Sequence, residues 1–316
     1  MALDYTTTTL LSTLRLLPLM PSVQALFDDD NLLTILTFEM NSKIYPLIDN
    51  QSEEYFVTRD DIPYVATQTV FNLPPRALGG KLRSVSFVDS NNNEIRVPRL
   101  RPEDTMSNVN STGLAINPAL WGFYLQNNQI ILFLGSIAGS TPSYKFLRLR
   151  YIRQPNTLVK VSECARVVSI NPSLNNVVVD VIPSAFSTSV TYDMVSNTPN
   201  FNALEDDAVC TSISGFTMTF SSLPVDQFNN VTLQVGDWIC LSGQAPVAQI
   251  PYSPGYDLLL QLGAAKCLEI HGDVQGFNVA MSQAADMKNY LISVLSPRVD
   301  GNVIRLTTPN SLYAWD

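Results

Sequence analysis

The sequence predicts an α+β protein: a helical unit assembled from both ends of the chain, with a long antiparallel β-rich insertion between them. Three observations carry this. Apolar residues recur at spacings of three and four near each end, in Leu10–Leu17, in Leu32–Ile48 and twice between Pro254 and Pro297. From about Tyr55 the period changes to two and the chain fills with Asn-, Gly- and Pro-rich turns. A pair of helices cannot bury both of its apolar stripes alone, and the only other helical patterns lie at the N-terminus.

The first stripe is Leu10, Leu14 and Leu17, ended by Pro18 and Pro21. The next helix is announced by Asp28-Asp29-Asp30, followed by Leu32, Ile35, Leu36, Glu39, Met40 and Ile44 at helical spacing. Acids at that point suit an N-cap and a first turn; a metal site would want a second acidic cluster, and none is paired with it. At the other end Leu258, Leu262, Ala265 and Leu268 form one stripe. Phe277, Ala280, Met281, Ala284, Met287, Leu291 and Val294 form another. Gly272 lies between them, which predicts an antiparallel pair.

Within the insertion, Lys81–Asp89 and Glu94–Pro98 read as a hairpin around Ser90-Asn91-Asn92-Asn93. Gly122–Leu125 and Gln129–Leu134 read as a second around Gln126-Asn127-Asn128. Strict alternation marks a strand at Lys145–Arg153, and further strands are expected at Arg166–Ile170, Val177–Ile182, Val209–Ile213, Thr217–Phe220 and Trp238–Leu241. Ser184–Asp207 reads as a long polar loop. The expected organisation is residues 1–54 and 250–298 as the helical unit, 55–249 as the β-rich insertion, and 299–316 as a C-terminal strand and tail.

Composition narrows the function. Of 316 residues, 46% are hydrophobic and only 15% charged, against about 25% charged in an average soluble domain. So little charge favours a protein that lives in an assembly. The formal net charge of −9 argues against a sequence-blind grip on nucleic acid, which needs cations. Cys164, Cys210, Cys240 and Cys267 form no zinc or redox spacing and read as free thiols in a reducing compartment. The N-terminal apolar run is interrupted by Arg15 and Pro18, which predicts neither signal peptide nor membrane span and a chain made in the cytoplasm.

Chemistry is thinly represented. The single histidine, His271, ends a helix where a cation is favoured; no Gly-x-Ser-x-Gly elbow exists to build a triad with Asp273. Gly79-Gly80-Lys81 lacks the remaining residues of a phosphate loop and leads into a strand, so it reads as a tight turn. No catalytic residue, metal site or cofactor is expected. Charge, however, is unevenly spread: six of the 19 basic residues fall between Arg76 and Arg101, followed by Arg148, Arg150 and Arg153. Acids gather at Asp28–Asp30, Asp49–Asp61 and Glu205–Asp207. Two readings stand side by side: solvated faces, or complementary patches that meet between neighbouring copies in a closed ring. The interface candidates are Arg76, Lys81, Arg83, Arg99 and Arg101 for charge pairing, and Tyr313 and Trp315 for docking of the tail.

Several phrases carry a resemblance. Leu16-Leu17-Pro18-Leu19 before the Asp-rich helix start, Leu73-Pro74-Pro75-Arg76-Ala77-Leu78-Gly79-Gly80-Lys81-Leu82-Arg83, Gly122-Phe123-Tyr124, Leu149-Arg150-Tyr151 with Arg153-Gln154-Pro155-Asn156, and Gly272-Asp273 before Ser296-Pro297-Arg298-Val299 are the phrases. From about Leu10 to Val299 the chain resembles the head-to-tail adaptor or neck ring proteins of short-tailed phages, including the crAss-like group. The resemblance implies a virion protein, commonly a dodecameric ring, that connects the portal to the tail and lines or seals the DNA channel. The partners it implies are the portal protein, other neck and tail ring proteins, further copies of itself, and genomic DNA in passive contact, with no membrane and no enzymatic activity. The β-insertion is larger than in the small helical adaptors. The rival expectation is a peripheral virion protein: a receptor- or carbohydrate-binding tail component, or a capsid decoration protein.

Overall fold

The computed structural model describes residues 5–17, 27–51, 55–65, 67–101, 121–133, 144–197, 203–226, 231–250 and 253–295. The expected terminal strand at 299–316 lies outside them.

The helical unit forms as the sequence dictates, from both ends. Helix α1 spans Thr7–Leu16 and α2 spans Asp29–Glu39. The Asp28 carboxylate accepts the Asn31 amide at 2.8 Å, and Asp29 and Asp30 occupy the first turn, so the aspartate run caps a helix. The regular helix expected through Ile48 is interrupted by a π-turn at Met40–Ile44, where the Tyr45 amide bonds the Met40 carbonyl; α3 follows at Tyr45–Gln51. Pro46 supplies the reason: it has no N–H to return to the preceding turn and its ring crowds that turn, so the helix widens ahead of it.

The C-terminal pair is α4 (Ser253–His271) and α5 (Val274–Leu295). Gly272 takes φ +84°, and the Asp273 amide reaches back to the Leu268 carbonyl at 3.0 Å, a Schellman-type stop. The Asp273 carboxylate then caps α5 by accepting the Gly276 amide at 2.9 Å. Stop and start are thus back to back, and the helices must run antiparallel. In place of a single stripe, α4 is buried almost all round; it is the central helix, enclosed by α1, α2 and α5. Leu10, Leu14, Leu32, Leu36, Ile44, Leu259 and Leu291 meet in its core. Gly263 sits where α4 approaches α2, and a Cβ there would lie 2.6 Å from the Leu36 Cδ2 atom.

The β-rich stretch has two cores. In the first, strands β1 (Val57–Pro63), β3 (Ala77–Asp89), β4 (Glu94–Val97) and β7 (Tyr144–Arg153) pair antiparallel in the order β1-β7-β3-β4. Strands β2 (Val70–Asn72), β5 (Gly122–Gln126) and β6 (Gln129–Phe133) form a second sheet, β2-β6-β5. They share a core of Phe71, Val85, Phe87, Phe123, Ile130, Leu147 and Leu149, the inward set of each alternating strand. Gly79 and Gly80 take positive φ within β3. They make a bulge that shifts register between Ala77 and Leu82, not the tight turn expected.

The second core lies inside a closed six-stranded barrel. Strands β9 (Ala165–Asn171), β10 (Asn176–Val179), β11 (Thr191–Val195), β12 (Ala203–Ser214), β13 (Thr217–Phe220) and β16 (Trp238–Leu241) close in the order β10-β13-β12-β11-β16-β9. Short strands β8 (Thr157–Leu158) and β17 (Gln244–Ala245) pair in parallel beside it, and β14 (Val225–Asp226) pairs with β15 (Val231–Thr232). The loop expected over Ser184–Asp207 is corrected here, because it contains β11 and the start of β12. The polar residues that disguised β11 have partners: Tyr192 and Met194 fill the barrel while Asp193, between them, enters a buried ionic cluster.

Candidate interaction surfaces

Asp193 is the centre of a polar clasp where the barrel meets the first β-unit. Its carboxylate, wholly buried, accepts the Arg76 Nη2 at 2.8 and 2.9 Å, the Asn156 Nδ2 at 2.9 Å and the amides of Gly243 and Asp207 at 3.0 and 3.1 Å. Arg76 also donates to Asn156 Oδ1 and Ser242 Oγ. Arg153, at the end of β7, donates to both Asp206 oxygens at 2.7 and 2.6 Å and to Asn156 and Gln249. Burial pushes the Asp193 carboxyl up and neighbouring Asp206 adds to it, with Arg76 opposing both. For Arg153 the burial that would lower its affinity for a proton is outweighed by the Asp206 hydrogen bonds. The cluster is therefore an internal fastening, in which each charge depends on its partner.

More of the uneven charge seen in the sequence pairs within the chain, in bridges nearer the surface. Asp29 pairs with Arg15 at 2.6 Å, Asp30 with Lys160 at 2.6 Å, and Asp49 with Lys81 at 3.0 Å. Arg76, expected at an intersubunit contact, points into the clasp with only 12% of its side chain exposed. Lys81 keeps 56% exposure beside Asp49. Arg99 and Arg101 are exposed after β4, where the Arg99 backbone bridges to Phe123. Tyr313 and Trp315 lie outside the described residues.

One cationic surface faces solvent. On the outer face of the first sheet, Arg83, Ser84 and Ser86 of β3, Glu94 and Arg96 of β4, and Arg150 of β7 line a trough of about 660 Å³. Its form follows from the alternation. Register places Ser84 opposite Arg150 and Ser86 opposite both Arg148 and Arg96, so short hydroxyl side chains floor the middle strand and guanidiniums stand on either side. Arg148 is held by both oxygens of Asp61, at 2.7 and 2.8 Å. Glu94 bonds Arg150 with both of its oxygens. Those Arg150 hydrogen bonds are the main reason that the Glu94 carboxyl is held down to about 2. Sequence reasoning found Arg83 and missed Glu94, Arg96 and Arg150 as its companions, although the period-two spacing of Arg148 and Arg150 places both on one face.

A second surface is the outer side of α5. The helix buries Gly276, Ala280, Ala284, Leu291 and Leu295. Along the flanks of that stripe it exposes Val274, Val279 and Tyr290, at 70%, 45% and 61%. Only Asp286 and Lys288 are charged in the whole helix.

Among the described residues no cluster of His, Cys, Asp and Glu is arranged to hold a metal ion, and no helix is long and apolar enough to cross a membrane. All four cysteines are buried free thiols. No protein-family model matches the chain, and no curated protein matches it.

Proposed function

We propose that the chain is a structural subunit of a tailed-phage neck: a ring protein, dodecameric as in the family it resembles, that connects the portal to the tail and lines or seals the DNA channel. The observation that carries this reading is the outer side of α5. A helix whose far side faces only water normally carries charged residues there. This one exposes two valines and a tyrosine beside asparagines, serines and Ala285, with only Asp286 and Lys288 charged, and scarce charge with exposed aromatic side chains is what the middle of a protein interface shows. The helical unit is closed from both ends of the chain, so α5 is braced by α4 and presents a rigid edge for a neighbouring copy. The Asp193 clasp fastens the two β-units to each other, which suits them to act together in contacts with further ring proteins above or below. The low charge of the chain supports an assembled life in the same direction.

The test is to mix the purified chain with portal rings and image the mixture by negative stain, with native mass spectrometry of the chain alone and of the mixture. A symmetric collar beneath the portal, lost in a Val279→Glu/Tyr290→Glu variant that still folds, is the expected result. A chain that leaves the portal bare and binds capsid or glycans instead belongs to the periphery of the virion, and the connector reading falls.

A further inference from the structure

We infer that the arginine trough and the neighbouring edge of β4 form a docking site for an extended acidic segment of a partner protein, taken up as an added strand with carboxylates at alternate positions. The site is independent of whether the chain forms a ring.

Two features combine. The first is charge: the trough lining carries three arginines against one glutamate, on a chain whose formal net charge is −9. Arg96 is exposed and forms no ion pair among the described residues. Arg150 and Arg148 spend their forks on both oxygens of Glu94 and Asp61, so the guanidinium left to take a partner's carboxylate in two-point fashion is that of Arg96. The second is backbone. In the sheet order β1-β7-β3-β4, β4 is the last strand, and among the described residues it pairs only with β3. Just beyond it Pro98 and Leu100 bond Phe123 of β5, at 2.9 and 2.7 Å, so the open edge is the short stretch Glu94–Val97, which presents backbone donors and acceptors to a strand that adds there.

The two features share one geometry. Along β4, Glu94 and Arg96 face the trough while Val97 turns into the core and Ile95, 42% exposed, lies on the core side with it. A strand laid beside β4 has the same period of two. Its trough-facing residues meet Arg96 and Arg83, and the intervening residues lie beside Ile95. The partner that fits is acidic at every second position and apolar between. A DNA backbone fits less well. Its phosphates offer no strand to pair with the β4 edge, and Glu94, ionised at neutral pH, sits in the trough among the arginines.

The experiment is fluorescence anisotropy with a labelled short peptide alternating glutamate and valine, beside a lysine–valine counterpart and a single-stranded oligothymidylate, on the intact chain. Hydrogen exchange of β4 is followed in parallel. Binding of the acidic peptide only, weakened about tenfold or more by Arg96→Ala and further by Arg83→Ala/Arg96→Ala, with slowed exchange at Glu94–Val97, is the expected result. Both side chains are exposed, and a cooperative thermal unfolding transition certifies each variant as folded. The inference is overturned by absent or equal binding of the acidic and basic peptides, or by binding that leaves β4 exchange unchanged. It is equally overturned if the oligothymidylate binds and the peptide does not, which would make the trough a nucleic-acid contact.

Discussion

Arg76→Met separates an internal fastening from an intersubunit contact. Methionine keeps most of the aliphatic length of the side chain and removes the guanidinium. Asp193, with no exposed surface, then loses both oxygens' contact with Arg76. It retains Asn156 Nδ2 at 2.9 Å, the Gly243 and Asp207 amides at 3.0 and 3.1 Å, and Arg153 at 3.8 Å. Breaking a buried ion pair by removing one partner costs about 3–5 kcal/mol. The donors left on Asp193 place this case near the lower end, at about 3 kcal/mol, a change of more than about a hundredfold in the folding equilibrium. Urea denaturation of the unassembled chain, followed by tryptophan emission, measures it.

The loss has a predicted pH dependence. The Asp193 carboxyl already lies above its ordinary range, through burial first and Asp206 second, with Arg76 among the groups holding it down. Without Arg76 it rises further, so the folded variant takes up a proton more readily than the unfolded chain. Its deficit against the parent is then full at neutral pH, shrinks as pH falls through the variant's raised value, and levels off once the parent's own Asp193, also above the ordinary ~3.9, is protonated. Asp193→Asn placed on top of Arg76→Met should recover part of the loss, because no unpaired charge is then buried. A variant within about 0.5 kcal/mol of the parent, or a deficit that neither acid nor Asp193→Asn relieves, would refute the reasoning.

Further tests follow from the packing and the charges. Gly263→Ala drives a Cβ to within 2.6 Å of the buried Leu36 Cδ2. Overpacking of about 1–3 kcal/mol against a helix-propensity gain of about 1 kcal/mol predicts a lower melting temperature, and an unchanged one would show that Leu36 yields freely. Glu94, held down to about 2 chiefly by Arg150, contributes stability that is complete above the ordinary glutamate range and lost as pH falls through about 2. Its carboxyl carbon shift in an NMR titration should show that midpoint, and one near ~4.3 would contradict the pairing. The four buried thiols, with Cys267 raised to about 11 by burial, should resist a disulfide reagent until urea unfolds the chain; rapid labelling of the native protein would place one of them at the surface.

By itself the sequence determined whatever rests on local periodicity. The α+β class, the helices at both ends, the aspartate cap, the Gly272 stop and the two Asn-tipped hairpins are all properties of neighbouring residues, governed by backbone sterics and by which side of an element is apolar. It could also show that Arg148 and Arg150 share a face. Only the tertiary structure decided which charges answer one another. Arg76 and Asp193 are 117 residues apart, and nothing local distinguishes an arginine that ends in a buried pair from one left at the surface, as Arg96 is. The division of the insertion into a two-sheet unit and a closed barrel was hidden for the same reason. The polar composition that made Ser184–Asp207 look like a loop is satisfied by contacts from distant strands, and barrel closure is a relation between strands that no single stretch of sequence contains.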